Sequence, residues 1–168
     1  MILMVRADDR LIHGMVAVSW TSHLKPETIL VANDVVAADS FKLMTMKMAK
    51  PAGVNLVIKS KDDSIKALNN PINDRKKIFL VTETVEDALY IYERVDGKFK
   101  SLNVGTAGVN KKPGEQYYPT LPQVFMTVEE FESAKKMANE GVEIFAQITP
   151  TRERMDFKDI EKIFNTHK

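Results

Sequence analysis

Short apolar runs alternate along the chain with segments whose apolar positions recur at three- and four-residue spacing, a pattern that predicts strands alternating with amphipathic helices. The first run is Ile2-Leu3-Met4-Val5, and a helical pattern over about 13–24, containing Val16, Ala17 and Trp20, stops at Lys25-Pro26. Residues 28–32 read as a buried strand ending at Asn33-Asp34. The next helix is expected from near Ala38, with Phe41, Met44 and Met48 on one face, and Pro51-Ala52-Gly53 ends it. Of Met44, Met46 and Met48, only one is expected outside the core. Further strands are predicted at 54–58, 77–81, 102–104, 123–126 and 142–147, and helices at 61–68, 84–95, 127–140 and 156–164. Thr127 and Glu130 have the spacing of a capping box. The polar stretch 110–122, with three Pro and one Gly, is expected to be a long loop.

This alternation predicts one α/β domain over 1–168: a doubly wound, mainly parallel sheet of about six or seven strands with helices on both faces. At 168 residues, 44% of them hydrophobic, the chain can bury a sizeable core. A net charge of +1 gives no field that would recruit nucleic acid or an anionic membrane. The absence of Cys excludes disulfides and thiolate chemistry, and three scattered His (His13, His23, His167) do not suggest a metal site. No apolar stretch approaches the roughly 18 residues of a membrane span, so the expected location is cytoplasmic, with no metal and no cofactor.

Reactive side chains concentrate in one place. Arg6-Ala7-Asp8-Asp9-Arg10-Leu11-Ile12-His13-Gly14 puts two Asp, two Arg and a His between the first strand and the first helix. Loops at strand C-termini face the ligand crevice of open α/β sheets. A neutral imidazole there can attack phosphorus and hold the phosphoryl group covalently. N–H groups at the helix start would stabilise the transferred charge, and Arg10 offers a planar fork to phosphate oxygens. Gly14 lets another backbone approach, and either Asp8 or Asp9 can orient the imidazole or Arg10. Elsewhere, Asn33 and Asp34 should face the same crevice. Gly105-Thr106-Ala107-Gly108 lacks nucleotide-loop spacing. Tyr117-Tyr118-Pro119 is either a partner-facing patch or packed on its own domain, and His23 and His167 read as solvated.

Arg-x-Asp-Asp-Arg-Leu-Ile-His-Gly closely resembles the N-terminal signature of the IIB components of the mannose/fructose/sorbose family of the bacterial sugar phosphotransferase system. Segments 33–39, 49–54 and 103–105 resemble further family segments, in the right order. The resemblance implies that His13 takes a phosphoryl group from a phosphohistidine on a IIA component, at Nδ1. It implies transfer onward to a sugar imported by membrane components IIC and IID, with peripheral association to them: a protein-Nπ-phosphohistidine–sugar phosphotransferase. Asp8 and Arg10 support His13; Arg6, Gly14 and Lys42 are the expected phosphate-binding residues. A homodimer is also consistent with the family, which spans mannose, fructose, sorbose and amino-sugar systems. Met15 stands where the family usually has Gln, and Lys42 where it has Arg, keeping the charge but losing the fork. Two rival readings are a non-catalytic α/β module binding a phosphorylated or anionic ligand, and a receiver-like domain with metal at Asp8-Asp9.

Overall fold

Period-two alternation along the strands sorts the core into two layers, one on each face of a sheet. In β1 (Ile2–Ala7), Met4 belongs to one layer and Val5 and Ala7 to the other. β2 (Thr28–Ala32) sends Ile29 and Val31 to the first layer and Leu30 and Ala32 to the second. In β4 (Ile78–Thr82), Phe79 and Val81 go to the first and Ile78 and Leu80 to the second. This computed structural model describes residues 1–166, so the expectation for His167 lies outside the described residues.

The first layer is closed by α1 (Gly14–Leu24), which buries Ala17 and Trp20, and by α2 (Asp34–Ala38) and α3 (Ser40–Met48). β3 (Asn55–Lys59) leads into α4 (Lys61–Asn69), which packs Ile65 and Leu68 on the second layer, and a 3-10 turn, Pro71–Asn73, returns to β4. The second layer is completed by α5 (Val85–Tyr92), then, after β5 (Ser101–Val104), by α6 (Val128–Asn139) and α7 (Phe157–Thr166). The sheet ends with β8 (Glu143–Gln147) and β9 (Arg154–Asp156). Its order is β3-β2-β4-β1-β5-β8-β9, parallel except for the β8–β9 pair. After β1 the chain moves to β2 on one side; after β4 it moves to β5 on the other. The C-terminal ends of β1 and β4 therefore flank a switch point, where a crevice opens between helices on opposite faces.

Several expectations need correction. The stretch expected to be one long loop contains a strand, Tyr118–Leu121 (β6), which pairs antiparallel with Val124–Met126 (β7) as a separate two-stranded sheet. Tyr118 packs on its own domain, against the Phe164 ring at 5.4 Å. β9 was not expected. The helix predicted from near Ala38 is α3, starting at Ser40; a short helix before it, α2, was not expected, and Asp39 between them caps α3 through the N–H groups of Phe41 and Lys42. The face carrying Phe41, Met44 and Met48 points outward: these residues are 76%, 60% and 83% exposed, and only Met46 of the three methionines packs on the core.

The capping box forms as expected, and Glu130 does more than close it. Its carboxylate accepts from Thr127 N–H and also from Val85 N–H at the start of α5, joining two helix ends. Burial, with Glu86 nearby, pushes this carboxyl up to about 7 despite those N–H donors. The native state therefore holds a proton between pH 4.5 and about 7 that the unfolded chain has released, and its contribution to stability is full below that window and lost as pH rises through it. Urea denaturation should show stability falling by about 3 kcal/mol across this window in the wild type, and a slope largely abolished in Glu130→Gln.

Candidate functional site

Arg6 lies on β1 with its side chain in the first layer, 2% exposed, its guanidinium 5.8 Å from the Trp20 ring centroid. A buried cation needs its donors matched. Nη2 donates to Asp8 Oδ2 at 3.0 Å, and Nη1 donates to the Gln147 carbonyl at 3.0 Å and to Asn103 Oδ1. Gly105 makes room for it: a Cβ there would lie 2.2 Å from the guanidinium carbon. Arg6, expected among the phosphate-binding residues, is thus occupied inside the protein and holds a carboxylate instead.

That carboxylate, Asp8, is fully buried. Oδ2 accepts from Arg6 and from His13 Nε2 at 2.8 Å, while Oδ1 accepts from Arg10 N–H at 2.9 Å and lies 3.6 Å from Arg10 Nε. Burial alone would raise the Asp8 carboxyl, but the bond from His13, the charge of Arg6 and the Arg10 N–H outweigh it and hold it below its ordinary value. Because an ionised carboxylate only accepts, the proton of this bond sits on His13 Nε2, and in the neutral ring the lone pair is then on Nδ1. Nδ1 has no hydrogen-bond partner among the described residues.

The loop from Asp8 to His13 is pinned from below. Leu11 and Ile12 are buried in the first layer, and Leu11 takes a left-handed conformation, φ 58°, as its N–H returns to the Asp8 carbonyl at 2.9 Å. The sequence left Asp8 and Asp9 as alternatives for orienting the imidazole; Asp8 takes that role. Asp9 points to the long loop, accepting from the N–H groups of Ala107 and Asn110 at 3.0 and 2.9 Å, and Asn110 Nδ2 donates to the Asp9 carbonyl. The Gly105–Gly108 segment thus packs on Arg6 and Asp9.

His13 is also the N-cap of α1, in extended conformation, with its ring partly exposed and no side-chain bond to the helix. By contrast, α2, α3, α4, α5 and α6 are capped by Asn33, Asp39, Ser60, Thr84 and Thr127. No acidic residue occupies the first turn of α1, and its N-cap residue His13 makes no side-chain bond to the first N–H groups. Gly14 follows at φ 40°, with nothing within 4 Å of where a Cβ would stand. A groove of about 390 Å³ at the switch point brings Arg10 and Lys42 together with Asn33, Val35, Phe41 and Glu83. His23 is exposed, edge-on to Trp20 at 6.0 Å. The sequence reading gave no role to Gln147 or Asn110 and, although it singled out 103–105 and Gly105, did not connect them with Arg6, about a hundred residues away; a charged residue inside a buried strand, Arg6, was the one local signal that partners had to exist.

The site is thus an α/β switch-point loop in which a histidine, hydrogen-bonded to a buried carboxylate, begins a helix that no side chain caps, three residues after an arginine that lines the groove. The family model described as PTS system sorbose subfamily IIB component matches residues 2–168. A probable phosphotransferase enzyme IIB component of Streptococcus pyogenes serotype M6 is 35% identical over 162 residues, covering 95% of this chain and 99% of that one. The mannose-specific EIIAB component of Escherichia coli K12 is 27% identical over 157 residues, covering 94% of this chain and 47% of that protein. The IIBSor domain of the sorbose permease from Klebsiella pneumoniae shares the fold, with TM-score 0.84 and 21% identity over 96% of this chain and 97% of that one. The chain belongs to the sorbose-subfamily IIB components of the phosphotransferase system, and its function is that of a phosphocarrier. No helix among the described residues is long and apolar enough to cross a membrane.

The Arg6 pocket can be probed without touching a charged group. Gly105→Ala should destabilise the protein by about 3 kcal/mol, because the new methyl displaces one member of a buried ion pair. Gly97→Ala, where a Cβ meets nothing within 4 Å, should change stability by less than about 0.5 kcal/mol in the same denaturation experiment.

Proposed function

We propose that His13 Nδ1 is the phosphoryl acceptor, and that this chain is a protein-Nπ-phosphohistidine–sugar phosphotransferase working between a IIA donor and a sugar brought in by IIC and IID. The observation that carries the reading is the 2.8 Å bond between His13 Nε2 and a fully buried Asp8, which leaves Nδ1 as the nucleophilic nitrogen. In the first step the Nδ1 lone pair attacks the donor's phosphorus. The donor N–P bond breaks, its electrons stay on the donor ring, and the Nδ1–P bond forms. The phosphorylated ring, with its proton still on Nε2, carries a formal positive charge that faces Asp8. In the second step a sugar hydroxyl oxygen attacks phosphorus, the Nδ1–P bond breaks with its electrons returning to Nδ1, and the hydroxyl proton passes to solvent. Both steps are in-line transfers that need charge stabilisation and positioning more than covalent help.

Arg10, Lys42 and the N–H groups at the start of α1 supply that stabilisation, with Gly14 allowing close approach. Arg6 acts from behind, holding Asp8. Several exposed apolar residues lie near the site: Val35 and Phe41 line the groove, Met44 and Met48 share the α3 face with Phe41, and Met15 is two residues beyond His13. Such a patch around a reactive group suits transient docking of protein partners, in keeping with a IIA donor and with peripheral, cytoplasmic association with the membrane components. A homodimer is compatible with the same surface.

Incubation with phosphorylated IIA, followed by mapping of the label, tests the assignment. The wild type should take one phosphoryl group on His13, stable in base and labile in acid; His13→Ala should take none. Asp8→Asn should still label, about 10–100-fold more slowly. Label on His13→Ala, or no label on the wild type, would overturn the assignment, and the latter would favour a non-catalytic binding module.

A further inference from the structure

We infer that Asn103 is a positioning residue for His13, acting through Arg6 to control how strongly Asp8 can draw a second proton onto the imidazole. The inference rests on His13 being the nucleophile, and it concerns what keeps Nδ1 free. Arg6 Nη2 and His13 Nε2 donate to the same oxygen, Asp8 Oδ2, at 3.0 and 2.8 Å. A buried carboxylate facing imidazole alone would stabilise imidazolium and remove the Nδ1 lone pair. With Arg6 on the same oxygen, most of that charge is balanced before it reaches the ring.

Arg6 can do this only if it stays on Asp8 and spends its charge there. Its opposite side is held by neutral acceptors, Asn103 Oδ1 from β5 and the Gln147 carbonyl from β8. The Asn103 amide cannot turn round without loss, because its Nδ2 donates to the same Gln147 carbonyl at 3.1 Å. The charged groups facing the pair are Arg6 from β1 and Arg10 from the loop, whose Nε lies 3.6 Å from Asp8 Oδ1; Asp9 is turned away to Ala107 and Asn110. Asn103 therefore fixes the guanidinium without competing for its charge. Aspartate in the same space would share Arg6 and leave Asp8 to act on His13.

The test is the pH dependence of labelling from phosphorylated IIA in the wild type, Asn103→Asp and Asn103→Ala, together with 15N spectra of the unphosphorylated His13 ring. In Asn103→Asp the acid limb of the rate should move up by about one pH unit, the order expected for one added charge at an effective dielectric near 20. The plateau at higher pH should stay within about threefold of the wild type. In Asn103→Ala, which loosens Arg6 without adding a charge, the limb should also move up, by less than in Asn103→Asp, and the rate should fall. An unmoved limb in folded Asn103→Ala, or in folded Asn103→Asp, would overturn the inference. The wild-type ring gives a check that needs no variant: at pH 7.5 its 15N shifts should report a proton on Nε2 alone, and a doubly protonated ring contradicts the inference. A wild type that takes no label at His13 removes the phosphocarrier assignment instead, while the ring titrations still test Asn103.

Discussion

The buried ion pair between Arg6 and Asp8 is the interaction on which the site depends. Neither group has solvent to fall back on, so each must find its partners inside the fold. Arg6 finds them in Asp8, just beyond the end of its own strand, in Asn103 of β5 and in the Gln147 carbonyl of β8, with only its Nε left without a partner. Asp8 finds them in Arg6, His13 and the Arg10 N–H. Burial presses the Arg6 guanidinium down from its ordinary value, and Asp8 pulls it back, so it remains charged. The doubly wound sheet places β1, β5 and β8 side by side and brings the His13 loop to their carboxyl ends.

A second constraint keeps the loop itself in place. Leu11 and Ile12 anchor it from the first core layer, and Asp9 ties it to the loop carrying Ala107 and Asn110. Above this support His13 and Arg10 are partly exposed, and Gly14 and Lys42 are exposed. Under the proposed function, rigid support beneath an accessible imidazole suits a residue that is to receive and pass on a phosphoryl group in one geometry.

Much of this was legible in the sequence because the signals were local. The strands from β1 to β5 have the apolar runs of buried parallel strands, and the Thr127–Glu130 capping box is a four-residue pattern. The outward face of α3 was misread because helical spacing says which residues share a face but not whether that face meets protein. β6 was hidden by Pro119 in a polar, Pro-containing stretch, and β9 is a three-residue edge strand with charged Arg154 and Asp156. At the site, the His, Asp and Arg cluster was visible, but from the residues alone the division of labour was not; only the family resemblance pointed to Asp8. Asp8 and Asp9 are adjacent and chemically identical; only partners near positions 103–110 and 147 decide which one holds the imidazole and why Arg6 faces inward.

The central claim is that Asp8 occupies Nε2 and thereby assigns the phosphoryl group to Nδ1. Long-range 1H–15N correlation with 31P coupling on the phosphorylated protein measures this directly. Phosphorus bonded to Nδ1 of His13, with the Nε2 proton retained, is the expected result. Phosphorus bonded to Nε2 would mean that the Asp8 bond is broken in the carrier state, and would contradict the account.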